Sequence, residues 1–298
     1  ITSDAGGIAI ALSRAQGTTV AATFGVSFAV NEIRAAVSAA ITGSTLTLTG
    51  TGSAGALQVL AQTDLVIRAL TVTGTLAAGT GGSQPSSTVT IAGAGAGSRN
   101  TIDGTTRAAL TGSTVRTAGT VRVRAATLGE VNADAGGFAI SLTVPATGQQ
   151  PVSVAAGLSA AVNHITGRTV AELTGDDITA TGVTVQAVST TTITALTIGG
   201  ALGSAAGSGA GSGNTIATEL RAAVEDSTVR AGTGAVLVEA RDSSTVTADA
   251  GGVAVAEQIA PQATGTVTLA PAIGASAAVN TIGNDVTAQI VDSTVTAG

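Results

Sequence analysis

The chain contains no cysteine, methionine, tryptophan, tyrosine or lysine, and its aromatic residues are Phe24, Phe28 and Phe138 alone. Each absence excludes something. Without cysteine there is no disulfide framework, and with His164 as the one histidine ordinary zinc ligation is excluded as well. Three phenylalanines supply neither the large anchors of a conventional globular core nor the aromatic girdles of a membrane β-barrel. Every apolar run of ~18 residues, the length a spanning helix needs, is interrupted by Thr, Ser, Gly, Asn or a charge, so no membrane-spanning segment is expected. Charged residues are 10% of the chain and the net charge is -6, which leaves no basic stripe for nucleic acid.

What is present is Ala, Gly, Thr, Val, Ser and Ile. The hydrophobic fraction of 44% lies mostly on small and β-branched side chains, which favour strands and thin packing. Low charge with this apolar content is unlike a disordered chain, so the protein is expected to fold.

Internal periodicity decides the architecture. With Asn31, Asn100, Asn163, Asn214 and Asn280 as origins, Ile recurs two positions on (Ile33, Ile102, Ile165, Ile216, Ile282) and Ala eight on (Ala39, Ala108, Ala171, Ala222, Ala288). A branched aliphatic follows at ten, and then Ser-Thr at Ser44, Ser113, Ser227 and Ser293, with Asp176-Asp177 as the departure. A second block follows four of the origins. It places aliphatics before a first Ala (Ala61, Ala125, Ala187, Ala240) and a second Ala eight residues later (Ala69, Ala133, Ala195, Ala248). Gly pairs then come at Gly136-Gly137, Gly199-Gly200 and Gly251-Gly252.

Origins are 69, 63, 51 and 66 residues apart, and the variation falls between the Gly pair and the next Asn. That variable segment is expected to be a projecting loop or a flexible arc, with the Gly-rich runs 92–98 and 203–213 inside it. Within the blocks the period is two, which predicts short strands with one face in and one out. Return of the same inward residue types at the same offsets predicts stacked coils and not a sandwich. The expected fold is therefore all-β, a parallel β-helix (β-solenoid) of stacked coils, continuous over residues 1–298. At roughly 20 residues per coil, each Asn-to-Asn unit is expected to span two or three coils, with three favoured. Ile1–Gly7 matches Val246–Gly252 and Ser293–Gly298 starts another copy, so the expectation is a stack uncapped at both ends, cut from something longer.

The recurring Asp-Ala-Gly-Gly, Ala-Val-Asn-x-Ile and Ser-Thr-Val-Thr-Ala-Gly resemble giant bacterial surface and secreted β-strand-repeat proteins, similar to haemagglutinin-like, autotransporter-type adhesins. The resemblance covers the whole chain and implies a β-helical shaft, an extracellular or cell-surface location, and a role in adhesion or filament formation. It carries over no functional residues.

No catalytic, cofactor-binding or metal-binding residue is assigned. A Ca²⁺ nonapeptide of the form Gly-Gly-x-Gly-x-Asp does not occur, and the acidic pairs Asp176-Asp177 and Glu225-Asp226 read as exposed polar turns. His164 reads as a solvated surface residue, and the origin Asn residues as corner residues that bond to unpaired backbone groups. Carboxylates are dispersed, so no enzyme is expected. Expected partners are further copies of itself, end to end or laterally, or cell-surface and matrix components. An adhesin would use variable loops such as 145–151 and 256–264.

Overall fold

The computed structural model describes residues 1–81, 87–144, 151–257 and 270–298. Within them the period-two pattern is realised as strands, arranged in five coils. The first coil holds β1 (Thr2–Ala15), β2 (Thr19–Thr42) and β3 (Thr45–Thr51). The second holds β4 (Leu57–Gly81), β5 (Thr88–Thr111) and β6 (Thr114–Ala118), and the third β7 (Thr120–Val144), β8 (Val152–Thr174) and β9 (Asp177–Ala180). The fourth holds β10 (Gly182–Gly203), β11 (Ala205–Glu225) and β12 (Thr228–Ala231). The fifth holds β13 (Val236–Ala256), β14 (Ala272–Ile282), β15 (Asp285–Val291) and β16 (Thr294–Ala297).

Equivalent strands pair in parallel. They form an outbound sheet (β1-β4-β7-β10-β13), a return sheet (β2-β5-β8-β11-β14, with β15 also on β11) and a narrow closing sheet (β3-β6-β9-β12-β16). The protein is a parallel β-helix.

Each Asn-to-Asn unit is one coil, where two or three had been expected. The outbound and return strands of the second and third coils run 23 to 25 residues without a break. At ~3.3 Å per residue such a strand is ~75 Å long. The Gly pairs lie inside long strands, in β7, β10 and β13, and so do the Gly-rich runs, within β5 and within β10 to β11 apart from Ser204. What varies in length is the link from outbound to return strand: residues 82–87, 145–151, Ser204 alone, and 257–271. The Ser204 link is docked on the coil below. Its hydroxyl accepts from the Ser153 amide at 2.7 Å and donates to the Ser153 carbonyl at 2.8 Å.

Register reproduces the sequence frame residue for residue. Ile33, Ile102, Ile165, Ile216 and Ile282 stack on one another, as do Ala39, Ala108, Ala171, Ala222 and Ala288. In the outbound sheet Ala61, Ala125, Ala187 and Ala240 stack likewise. Paired glycines are less regular: Gly137 stacks on Gly199 and Gly252, whereas Gly136 meets Ile198 and Gly200 meets Phe138.

Core side chains shrink steadily away from the closing sheet. Where three sheets meet, the interior is Val, Leu, Ile and Ala. Midway, where only two sheets face each other, Ile67, Ile102, Ile165, Ile193 and Ile216 dominate. Beyond the inward glycines the hydrophobic cluster is alanine alone, from Ala21 to Ala206. Two facing sheets close together once their inward side chains are small, so the cross-section is a wedge that thins toward the links. At the pinch the backbones touch. A Cβ on Gly157 would lie 1.9 Å from the Gly200 carbonyl oxygen, and one on Gly199 2.3 Å from that of Gly209. These positions admit no other residue.

Gly199→Ala is therefore expected to force the two sheets apart and lower stability by ~2–4 kcal/mol, the overpacking range and slightly beyond. Gly207→Ala, whose Cβ would meet nothing within 4 Å, is expected to be neutral or to stabilise by up to ~1 kcal/mol through reduced chain entropy. Urea unfolding midpoints of the two variants check the contrast.

Candidate functional site

The five Asn residues sit within strands and point inward, and not at corners; Asn31, Asn100, Asn163 and Asn214 are buried, and Asn280, on the last coil, is exposed. Their amides form one unbroken file. The Nδ2 of Asn31 donates to Oδ1 of Asn100 at 2.8 Å, Asn100 to Asn163 at 2.8 Å, Asn163 to Asn214 at 2.7 Å, and Asn214 to Asn280 at 2.8 Å. Asparagine suits this because each amide is both donor and acceptor, so a parallel stack satisfies every member from its neighbours. Each bond contributes about 0.5–1.5 kcal/mol net, and the file fixes register, since a slip would bury amides without partners. Locally Asn prefers turns, and tertiary pairing overrides that preference here.

A second file marks the corner between return and closing sheets. A left-handed residue begins the turn: Gly43, Gly112 and Gly175 at φ 58°, 60° and 67°, then Asp226 and Asp292 at φ 49° and 48°. The next residue points inward. The Ser44 amide donates to the Ser113 hydroxyl at 3.2 Å, that of Ser113 to the Asp176 carboxylate at 2.7 Å, that of Asp176 to the Ser227 hydroxyl at 3.0 Å, and that of Ser227 to the Ser293 hydroxyl at 3.0 Å. Each Ser hydroxyl donates back to a carbonyl two residues earlier. Asp176, expected to be exposed, instead replaces a serine in this buried file. Burial pushes its carboxyl up to about 6, against the lowering effect of the Ser113 and Thr174 amides that donate to it.

Charges gather toward the closing end. Arg107, Glu172, Arg221, Glu225 and Gln289 form a strap across four coils of the return sheet, and the Arg221 guanidinium holds the Glu225 carboxyl below its ordinary value. Arg116 and Arg230 both bond to Asp177, at 3.2 and 2.7 Å. Among the described residues no group of three His, Cys, Asp or Glu could hold a metal, and no helix is long and apolar enough to cross a membrane.

His164 faces outward and half-buried in a row with Glu32, Thr101, Thr215 and Thr281. A shallow groove of about 300 Å³ crosses the return sheet there, bounded by Arg99, Thr101, Val162, His164, Thr215 and Val279. It brings one imidazole and one guanidinium together with no carboxylate, so it offers no acid–base pair. The expected adhesin loops 145–151 and 256–264 lie almost wholly outside the described residues.

The feature that sequence reasoning missed is on the outside of the thin end. There the alternation is inverted, with Thr, Ser, Ala and Gly inward and large apolar groups outward. On the outbound sheet Ile8 is 85% exposed and Leu12 74%, followed on later coils by Phe138, Ile140, Leu142, Val253 and Val255. The return sheet exposes Phe24 at 70% and Val26 at 80%, together with Phe28, Val154, Leu158 and Ile273. Each phenylalanine lies over a glycine of the next coil: Phe24 on Gly93, Phe28 on Gly97, Phe138 on Gly200. The signal was available in the sequence, because inward Ala133 fixes the phase that puts Phe138, Ile140 and Leu142 outside.

Comparison with known proteins finds no matching family model, and no match among curated proteins or solved structures.

Because the Asp176 carboxyl is raised from 3.8 to about 6 in the folded state, the fold binds its proton more tightly than the unfolded chain does. Stability from this site is greatest below pH ~4 and falls as pH rises through ~6, a loss of up to ~2–3 kcal/mol. Asp176→Ser, restoring the serine file, is expected to raise the melting temperature at pH 7.5 and to flatten the slope between pH 4 and 6. Thermal melts across that range check it.

Proposed function

We propose that this chain is a structural β-solenoid segment of a bacterial extracellular filament, sheath or adhesin stalk. One observation carries the reading: side chains stack in the same register from coil to coil along both long sheets, including the Asn file from Asn31 to Asn280. A protein selected for a chemical site concentrates unlike residues at one place. This one repeats like residues at every level, which serves extension. The resemblance of its recurring motifs to giant surface proteins supports the same reading.

Negative-stain electron microscopy of the purified chain tests the reading. End-on growth into rods much longer than five coils, a stack of about 24 Å at the usual ~4.8 Å spacing between paired strands, is the expected outcome. Particles that stay at the length of five coils at every concentration would contradict it.

A further inference from the structure

We infer that the thin end of the wedge is a lateral interface between copies of this chain, in which the outer face of the outbound sheet of one copy packs on the outer face of the return sheet of the next. This rests on the filament reading and adds how filaments would bundle. Both outer faces are apolar across all five coils, from the row holding Asp134 on one sheet and the row holding Arg99 on the other to the strand ends. Beyond the row that holds Asp134, Arg14, near the strand end, is the one charged residue of the outbound band within the described strands, and Glu257 follows directly on the end of β13. Five strands at ~4.8 Å and ten residues at ~3.3 Å give each face ~800 Å², the amount one partner contributes to a stable protein–protein interface.

Charge selects the pairing of unlike faces. Asp4, Asp134 and Asp249 all point outward in one row of the outbound sheet, stacked with Leu70 and Leu196. The row with Arg99 on the return sheet has Val30, Val162, Gly213 and Val279 and no acid. The two rows lie at the same level along the wedge. Thr127 bonds across the core to Thr169 at 2.7 Å, and seven residues toward the thin end from each are Asp134 and Val162, the latter in register with Arg99. A neighbour displaced straight across the sheets thus sets its aspartate row over the Arg99 row. Outbound on outbound would oppose three aspartates to three.

The interface joins unlike faces, so it propagates, and complementation tests it. One variant carries Ile140→Asp and Leu142→Asp on the outbound face, the other Val154→Asp and Leu158→Asp on the return face. All four positions point outward, and circular dichroism and melting are the check that both variants fold. Wild-type chain is expected to widen sideways in micrographs and to gain mass with concentration in sedimentation. Each variant alone should lose that widening, and an equal mixture should give assemblies two wedges wide and no wider. Pairing by the return-blocked variant alone would overturn the inference, since it requires outbound on outbound. So would flotation of wild type, but not the variants, with phosphatidylcholine vesicles in the absence of widening. End-on rods that never widen would overturn this inference and leave the filament reading standing, whereas widening without end-on growth would do the reverse.

Discussion

Parallel, in-register stacking of coils is the constraint from which the rest of the structure follows. A strand that pairs with its own equivalent in the next coil places each residue ~4.8 Å from its counterpart, so like must tolerate like at every level. Ile on Ile and Ala on Ala meet that condition by size, and Asn on Asn by offering both donor and acceptor. The serine file at the corner does so through hydroxyls, and Asp176 shows the limit of the tolerance. It keeps the hydrogen bonds of the file and costs stability when ionised. Charges are kept off the interior otherwise and are strapped together outside, near the closing sheet.

Given that constraint, the graded interior sets the shape. Three sheets around Val, Leu and Ile make the broad end, and two sheets over Ala, Ser and Thr make the thin one. Inward glycines mark the level at which the two long sheets come into backbone contact. Hydroxyls there bond across the wedge, as Ser27 does with Thr73 at 2.6 Å and Thr90 with Thr143 at 2.8 Å, which ties outbound to return strands where apolar volume is scarce. The same small interior leaves large side chains no place but outside. Hence the thin end has apolar outer faces, and the rings of Phe24, Phe28 and Phe138 cover the bare backbone of neighbouring glycines.

The fold was legible in the sequence to the extent that stacking leaves a trace at fixed offsets. Ile two after Asn and Ala eight after it fell into register as read, because a stack repeats its inward residues. Coil length was not legible. Gly136-Gly137 and the run 203–213 look like turns when judged by local preference, yet their glycines lie in long strands, some where sheets touch and some under a neighbouring ring. The Asn residues misled for a related reason, since a partner one coil away cannot be seen in a neighbourhood of ten residues. Real turns are marked by a left-handed residue before the serine, Gly43 or Asp226, a smaller signal than the Gly pairs. The apolar outer faces followed from phase alone, once Ala133 and its equivalents are carried past the glycines.

One coil per Asn-to-Asn unit is the central claim, and a distance between Glu32 and Thr281 tests it most directly. Both point outward in the same row of the return sheet, four coils apart, in a chain without cysteine. Spin labels on Glu32→Cys and Thr281→Cys, read by double electron–electron resonance, should lie about 19 Å apart plus the label tethers. Three coils per unit would separate them by about 58 Å, and that result would contradict the account.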